Sequence, residues 1–200
     1  MWKNNHKNST IILASRSPRR VELLKQIGLD CEIYPADIDE SQLPDESPVQ
    51  YVVRLAQEKA AACASMLTTE YLNYPILAAD TTVALSELVL GKPVDDDDAR
   101  DMLGKLSAGA HQVHTAVALS FNGELEVLLS STNVEMMPLS AEQIEQYIAT
   151  GDHRDKAGSY GIQGLAGAWV KRIEGSYTGV MGLPIYETAA LLRKHCIITI

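Results

Sequence analysis

The dipeptide Asn122-Gly123 divides the run HQVHTAVALSFNGELEVLLSSTNVEMM into two stretches of strand-forming residues. Asn and Gly both tolerate the positive φ of a two-residue hairpin turn, so this spacing predicts two long antiparallel strands. A pair that long cannot stand alone in water and needs other elements packed on its face. The remaining sequence supplies them.

STIILAS reads as a short buried strand and Ser17-Pro18 as a helix entry. Pro18 lacks an N–H and fits the first helical position, while Ser17 is placed to cap before it. In RRVELLKQIG, Val21, Leu24 and Ile27 share a helical face and Gly28 supplies the stop. CEIY predicts a second strand, and the polar stretch from Pro35 to Pro48 a loop. VVRLAQEKAAACASML joins good helix formers to an apolar stripe and predicts a long helix from Val49 to about Tyr71. PILAADTTVAL returns to strand character, and DDDDARDMLGKL begins with acids suited to a helix N-terminus. SAEQIEQYIA reads as a helix with Ser140 as cap and Gln143 placed for a capping box. Residues 151–167 read as a Gly-rich polar loop, AWVKRI as a strand and PIYETAALLRKH as a last helix. The apolar ending CIITI either covers these last elements or meets another subunit. The fold class is mixed α/β, with a polar extension at residues 1–10 and one domain over 11–200.

Charge narrows the function. Lys and Arg number 17 against 26 Asp and Glu, a formal charge of −9. That disfavours a general duplex-binding surface, which works by neutralising phosphates, but leaves room for a local basic pocket. Cys31, Cys63 and Cys196 have no CxxC spacing, and an odd count argues against a secreted disulfide framework. No apolar run reaches membrane-spanning length, and the polar start lacks the apolar middle of a signal peptide, so a cytoplasmic setting is expected.

Three charged regions interrupt the apolar scaffold. Ser15, Ser17, Arg19 and Arg20 lie at a strand-to-helix turn, where helix N–H groups and guanidinium forks suit phosphate oxygens. The same residues also suit an ordinary capped helix with solvated arginines. Asp80 follows the apolar run from Ile76 to Ala79; it either binds a cation or orients water, with Glu40 or Asp39 approaching, or caps a turn. The loop DKAGSYGIQGLAG brings Lys156 and Gln163 among its glycines. Lys59 and Lys92 are either further phosphate contacts or solvated surface lysines. The acids Asp95–Asp98 read as a solvated helix start. His111, His114 and His153 form no metal motif, and GLAG and GVMG miss the P-loop pattern.

Read together, ASRSPRR, YVVRLAQEKA, AADTTV, GKP, LSAGAHQVHTAVAL, DKAGSYGIQGLAG and GSYTGVMGLP closely resemble the Maf family of nucleotide pyrophosphatases, over roughly residues 11–193. The resemblance implies a Maf/ITPase-like two-lobed fold around a twisted mixed sheet, with a nucleotide-binding cleft between the lobes. It implies a cytoplasmic enzyme, a homodimer, that uses Mg²⁺ or Mn²⁺ to hydrolyse nucleoside triphosphates to monophosphate and pyrophosphate, limiting unwanted or modified nucleotides. Asp80 takes the place of the family's catalytic base, and Glu40 that of an acid at the metal site. Ser15, Ser17, Arg20, Lys59, Lys92 and Lys156 take places associated with phosphate and substrate binding. Two positions depart from the pattern: Arg16 replaces a small residue between the serines, and Met136 stands where a Phe usually ends its strand.

Arg19, Thr81 and Gln163 resemble the subgroup acting on dTTP and UTP. The subgroup acting on 7-methyl-GTP has an aromatic residue, Gln and Glu at the matching places. A neutral amide at Gln163 can both donate and accept, as the edge of uracil or thymine requires, whereas a carboxylate would favour the cationic methylated guanine. The alternatives are that 7-methyl-GTP specificity, or a nucleotide-sensing role without catalysis linked to cell-division control.

Overall fold

The computed structural model describes residues 10–68, 71 and 73–199. In chain order the elements are β1 (Ile11–Leu13), α1 (Pro18–Gln26), β2 (Cys31–Ile33), α2 (Pro48–Met66), β3 (Ile76–Leu85), β4 (Leu88–Leu90) and α3 (Asp96–Leu106). There follow β5 (Ala110–Phe121), β6 (Glu124–Met136), α4 (Ala141–Ala149), two 3₁₀ turns (Ala157–Ser159 and Leu165–Trp169), β7 (Val170–Glu174), α5 (Tyr177–Met181) and α6 (Ile185–Lys194). The seven strands form one mixed sheet in the order β2-β1-β3-β5-β6-β7, with β4 added beside β3. β1 is parallel to both β2 and β3; every other pairing is antiparallel.

The hairpin is as the sequence predicts. β5 and β6 pair from Ala110–Glu135 to Phe121–Glu124, and Asn122 and Gly123 take φ of 52° and 81° in the turn. The mixed α/β class holds likewise. Apolar side chains gather into three clusters. At the β1 end of the sheet, Ile11, Leu13, Leu77 and Ala79 meet α1 and α6, while Ile12, Ala14, Ile76 and Ala78 meet α2 on the opposite face. At the β4 end, Val83, Val113 and Val134 meet α3, α4 and Trp169. Strand β3 is common to all three, and its side chains alternate between faces as a strand demands.

Several local expectations change. α2 ends at Met66 instead of about Tyr71, with Leu67 already extended. Its last turn carries no basic residue and no glycine follows, so nothing caps a longer helix. Thr69, Glu70 and Leu72 lie outside the described residues, as do most of the polar extension (residues 1–9) and Ile200 of the apolar ending. Ile197 and Ile198 of that ending are buried in the α1–α6 cluster, so they cover the last helix. AWVKRI starts its strand only at Val170, because Ala168 and Trp169 belong to a 3₁₀ turn. The short elements β4 and α5 carried no periodic signal long enough to read. Ser140 and Gln143 form the expected capping box, and Ser47 with Gln50 forms another. No helix among the described residues is long and apolar enough to cross a membrane.

Gly123 isolates the turn's contribution. A Cβ there would meet nothing within 4 Å, so Gly123→Ala costs only the strain of φ +81°. We expect a loss of about 1 kcal/mol, read as a lower urea midpoint with an unchanged slope. An unchanged midpoint would show that the turn does not depend on its left-handed residue.

Candidate active site

On one side β3 pairs with β5 from Ile76 to Ala84. On the other it pairs with β1 only at Ile76 and Leu77, and with β4 only from Val83 to Leu85. Between those pairings a window opens at Ala79–Thr82, beside the carboxyl end of the parallel strand β1. Open α/β sheets leave room for ligands at such points, where neighbouring strands part. Asp80 sits in the middle of β3 rather than at a strand end, because the β-branched residues Thr81, Thr82 and Val83 carry the strand onward. Its side chain continues the α2 face, and that of Thr81 the face opposite.

Lys59 of α2 is the centre of the charge cluster. Its Nζ lies 2.6 Å from Asp80 Oδ1 and 2.7 Å from Glu40 Oε1. The Lys59 and Asp80 side chains are only 13% and 10% exposed, against 43% for Glu40, so the pair sits deep and the third member faces the opening. Burial pushes the Asp80 carboxyl above the ordinary carboxylate range, against the pull of Lys59 and Arg20. Burial also acts on Glu40, but there Lys59, Lys92 and Arg20 outweigh it and hold the carboxyl low. Two acids sharing one ammonium are thus shifted in opposite directions from the ordinary carboxylate range.

The loop bearing Glu40 is pinned to α2 from below. The Tyr51 hydroxyl donates to the Glu40 carbonyl at 2.8 Å, and Arg54 donates to the Ser41 carbonyl at 3.0 Å. Arg54 also meets Glu46 at 2.6 Å and Glu58 at 3.1 Å. Burial, with Asp80 and Glu40 nearby, pushes the Tyr51 phenol up to about 12, so it keeps its proton and its role as donor. Tyr51 and Arg54 were not among the sequence candidates, although they stand in the same stretch as Lys59, YVVRLAQEKA.

The turn after β1 supplies the second wall. Arg20 donates from Nε to the Gly182 carbonyl at 2.8 Å and from a terminal nitrogen to Ser15 Oγ at 2.9 Å. Those bonds fix the plane of the guanidinium, and burial lowers its proton affinity while Asp80 and Glu40 oppose that change. Ser17 is the N-cap of α1, yet its side chain makes no capping bond; its N–H instead donates to Ser15 Oγ at 3.2 Å. Arg16, the departure from the family pattern, forms an exposed ion pair with Asp37 at 2.7 Å.

Lys92 and Gln163, both exposed, face the cavity from the other wall together with Lys156. Lys156 is held by Asp152 at 3.1 Å, and a Cβ on Gly161 would lie 2.7 Å from its Cε. The glycine therefore makes room for the lysine stem. The cavity between these walls measures about 920 Å³, and every sequence-derived site residue except Asp39 lines it; Asp39 instead accepts from the Ser41 N–H at 2.9 Å, so Glu40 is the acid that approaches Asp80. That volume suits a nucleotide-sized ligand.

The histidines bind elsewhere: His111 to Tyr160, His114 to Ser131 and His153 to Asp96. Asp95 caps α3 through the Asp98 N–H, as read from the acidic run. Met136 is buried in the cluster of α3 and α4. Among the described residues, Glu124, Glu126 and His195 form a group of three metal-capable side chains, but none lines the cavity and Lys194 already neutralises Glu126.

Lys59→Met tests the charge centre. Removing the ammonium leaves Asp80 buried without its nearest cation, and we expect a loss of about 3 kcal/mol at pH 7.5. The sign follows from the raised carboxyl. A carboxyl held higher in the fold than in the open chain stabilises the fold when protonated, and that contribution falls as pH rises through the folded value. The variant should therefore lose more stability than the parent on going from pH 5 to pH 8 in urea titrations. Parallel pH profiles would remove Asp80 as the source.

The family model described as Maf-like protein matches residues 10–195. A dTTP/UTP pyrophosphatase of Methylobacillus flagellatus is 54% identical over 184 residues, 92% of each chain. Proteins with the same name from Chromobacterium violaceum and Nitrosomonas europaea are 53% and 48% identical, over 94% and 92% of this chain and 95% and 93% of their own. With the family matched along almost its whole length and relatives this similar, the chain belongs to the Maf family.

Proposed function

We propose that this chain is a metal-dependent nucleoside triphosphate pyrophosphatase that cleaves dTTP and UTP to the monophosphate and pyrophosphate. The observation that carries this reading is the convergence of the site candidates from three separate stretches of sequence on one cavity around Lys59, Asp80 and Glu40. The names of the relatives support the substrate. The apolar clusters on either side of the cavity are read as the two lobes of the single domain over residues 11–200.

Glu40 and Asp80 offer hard oxygen donors that already converge on one positive centre, which fits Mg²⁺ or Mn²⁺. Such an ion supplies charge to offset the triphosphate and to polarise the α-phosphoryl group. Arg20 and the N–H groups opening α1 hold phosphate oxygens, with Ser15 fixing the Arg20 fork and Ser17 at the helix entry. Lys59 and Lys92 add point charges; Lys156 must leave Asp152 to add another. Asp80, its proton affinity raised by burial, takes a proton from water as the water oxygen attacks the α-phosphorus. The bond from that phosphorus to the bridging oxygen breaks, and pyrophosphate leaves. Arg19, Thr81 and Gln163 read the base. A homodimer in the cytoplasm that limits unwanted or modified nucleotides completes the proposal, and light scattering at micromolar protein tests the dimer.

Purified protein with Mg²⁺ should convert UTP and dTTP to monophosphate and pyrophosphate, with kcat/KM above that for 7-methyl-GTP and the purine triphosphates. Orthophosphate as the first product, or a preference for 7-methyl-GTP, would overturn the assignment. Asp80→Asn keeps the shape and removes the base, so turnover should fall at least about a hundredfold with folding intact. Undiminished turnover would take Asp80 out of the chemistry. A cell-division effect that survives this loss would instead favour a nucleotide-sensing role.

A further inference from the structure

On the face of the sheet opposite Asp80, three successive cross-strand pairs of β3 and β5 are Ala79–Val117, Thr81–Thr115 and Val83–Val113. The outer pairs belong to different apolar clusters, so the two threonines form a polar step between them. Thr115 is completely buried, and Thr81 lines the cavity. Thr115 Oγ1 lies 2.8 Å from the Gly179 carbonyl oxygen and 3.0 Å from Thr81 Oγ1.

A proton count settles the direction of these bonds. Two oxygens at such distances repel unless a proton lies between them. The carbonyl has none to give, and Thr115 has one. The Thr115 proton therefore points to Gly179, and the bond between the threonines is donated by Thr81. What remains of the Thr81 hydroxyl toward the cavity is lone pairs. An acceptor of this kind cannot serve phosphate oxygens, which carry no proton at neutral pH; it meets a donor on the ligand.

We infer that Thr115 is a positioning residue that fixes Thr81 as an acceptor, so that the site selects pyrimidine bases bearing N3–H over cytosine. This rests on the dTTP/UTP reading. Uracil and thymine both offer an N3–H donor, whereas cytosine offers a bare N3 that would face Thr81 lone pair to lone pair. A hydroxyl free to rotate could serve either base. Thr115 removes that freedom from behind, without touching the substrate.

The test is the ratio of kcat/KM for UTP to that for CTP. Thr115→Val keeps the shape, and the Gly179 carbonyl retains the Gly182 N–H at 2.9 Å. Thr81 can then turn its proton into the cavity, and the ratio should fall about tenfold, chiefly through better use of CTP. Thr115→Ser restores the relay and should restore the ratio. N3-methyl-UTP checks the wild-type protein with no substitution, and it should be used as poorly as CTP. A ratio unmoved in Thr115→Val, with UTP and CTP slowed alike, would mean that Thr81 meets a ribose hydroxyl or only holds the strands, and would overturn the inference. N3-methyl-UTP turned over as well as UTP would overturn it too, even if Thr115→Val failed to fold. Inability of the wild-type protein to cleave either UTP or dTTP would sink the functional reading itself, a different result from cleavage of UTP with an unmoved ratio.

Discussion

Strand β3 has to belong to three apolar clusters at once, and most of the site follows from that constraint. Its two ends are buried in different packing environments, while its centre lacks a neighbour on the side where β1 has ended and β4 has not begun. Backbone groups in such a window need water or a ligand. Asp80, Thr81 and Thr82 occupy the window as polar residues in a strand that is otherwise apolar. The alternation of the strand then sends Asp80 to α2 and Thr81 to the turn before α6. One backbone thus gives the cavity a charged face around Asp80 and Lys59 and, opposite it, a hydroxyl-bearing face beside Arg20 and Gly182.

The charged face is costly to bury and is arranged to reduce that cost. Desolvation favours the protonated form of Asp80, and one ammonium between two carboxylates compensates only part of it. Glu40 remains accessible at the rim, and its loop is held by Tyr51 and Arg54 rather than by apolar packing. A rigid acid deep in the site and a less buried one on a pinned loop are the pair to which the proposed cation is assigned. The bonds from Arg20 to Ser15 and Gly182 likewise pin a guanidinium, fixing its plane before an anion arrives.

Much of this was legible in the chain. The Asn122-Gly123 hairpin, the capping box at Ser140 and Gln143, and the helix entry at Pro18 each depend on interactions within a few residues, so local sequence carries them. The site residues were legible as ordered motifs, though not as a geometry. That Lys59 touches both acids depends on how α2 lies on the sheet, a matter of distant packing. β4 and α5 escaped because three or five residues carry no readable period. Ser17 read as a side-chain cap, yet Ser15 takes its N–H, since a folded turn can satisfy a donor from a residue the helix pattern does not reach.

The acidity of the whole chain and the basicity of the cavity wall answer different demands. A formal charge of −9 repels polyphosphates and other acidic polymers at long range. Within the cavity, however, Arg19, Arg20, Lys59 and Lys92 gather positive charge on the lining. Screening by salt weakens the distant repulsion more than these close contacts, which are partly shielded from water. Short-range charge therefore decides what is held, while the global charge governs what approaches. The proposed substrate, a small triphosphate carrying a divalent cation, would be repelled less than a long polyanion. The neutral threonine pair then acts on a ligand that electrostatics has already admitted, and it distinguishes bases of equal charge by where a single proton lies.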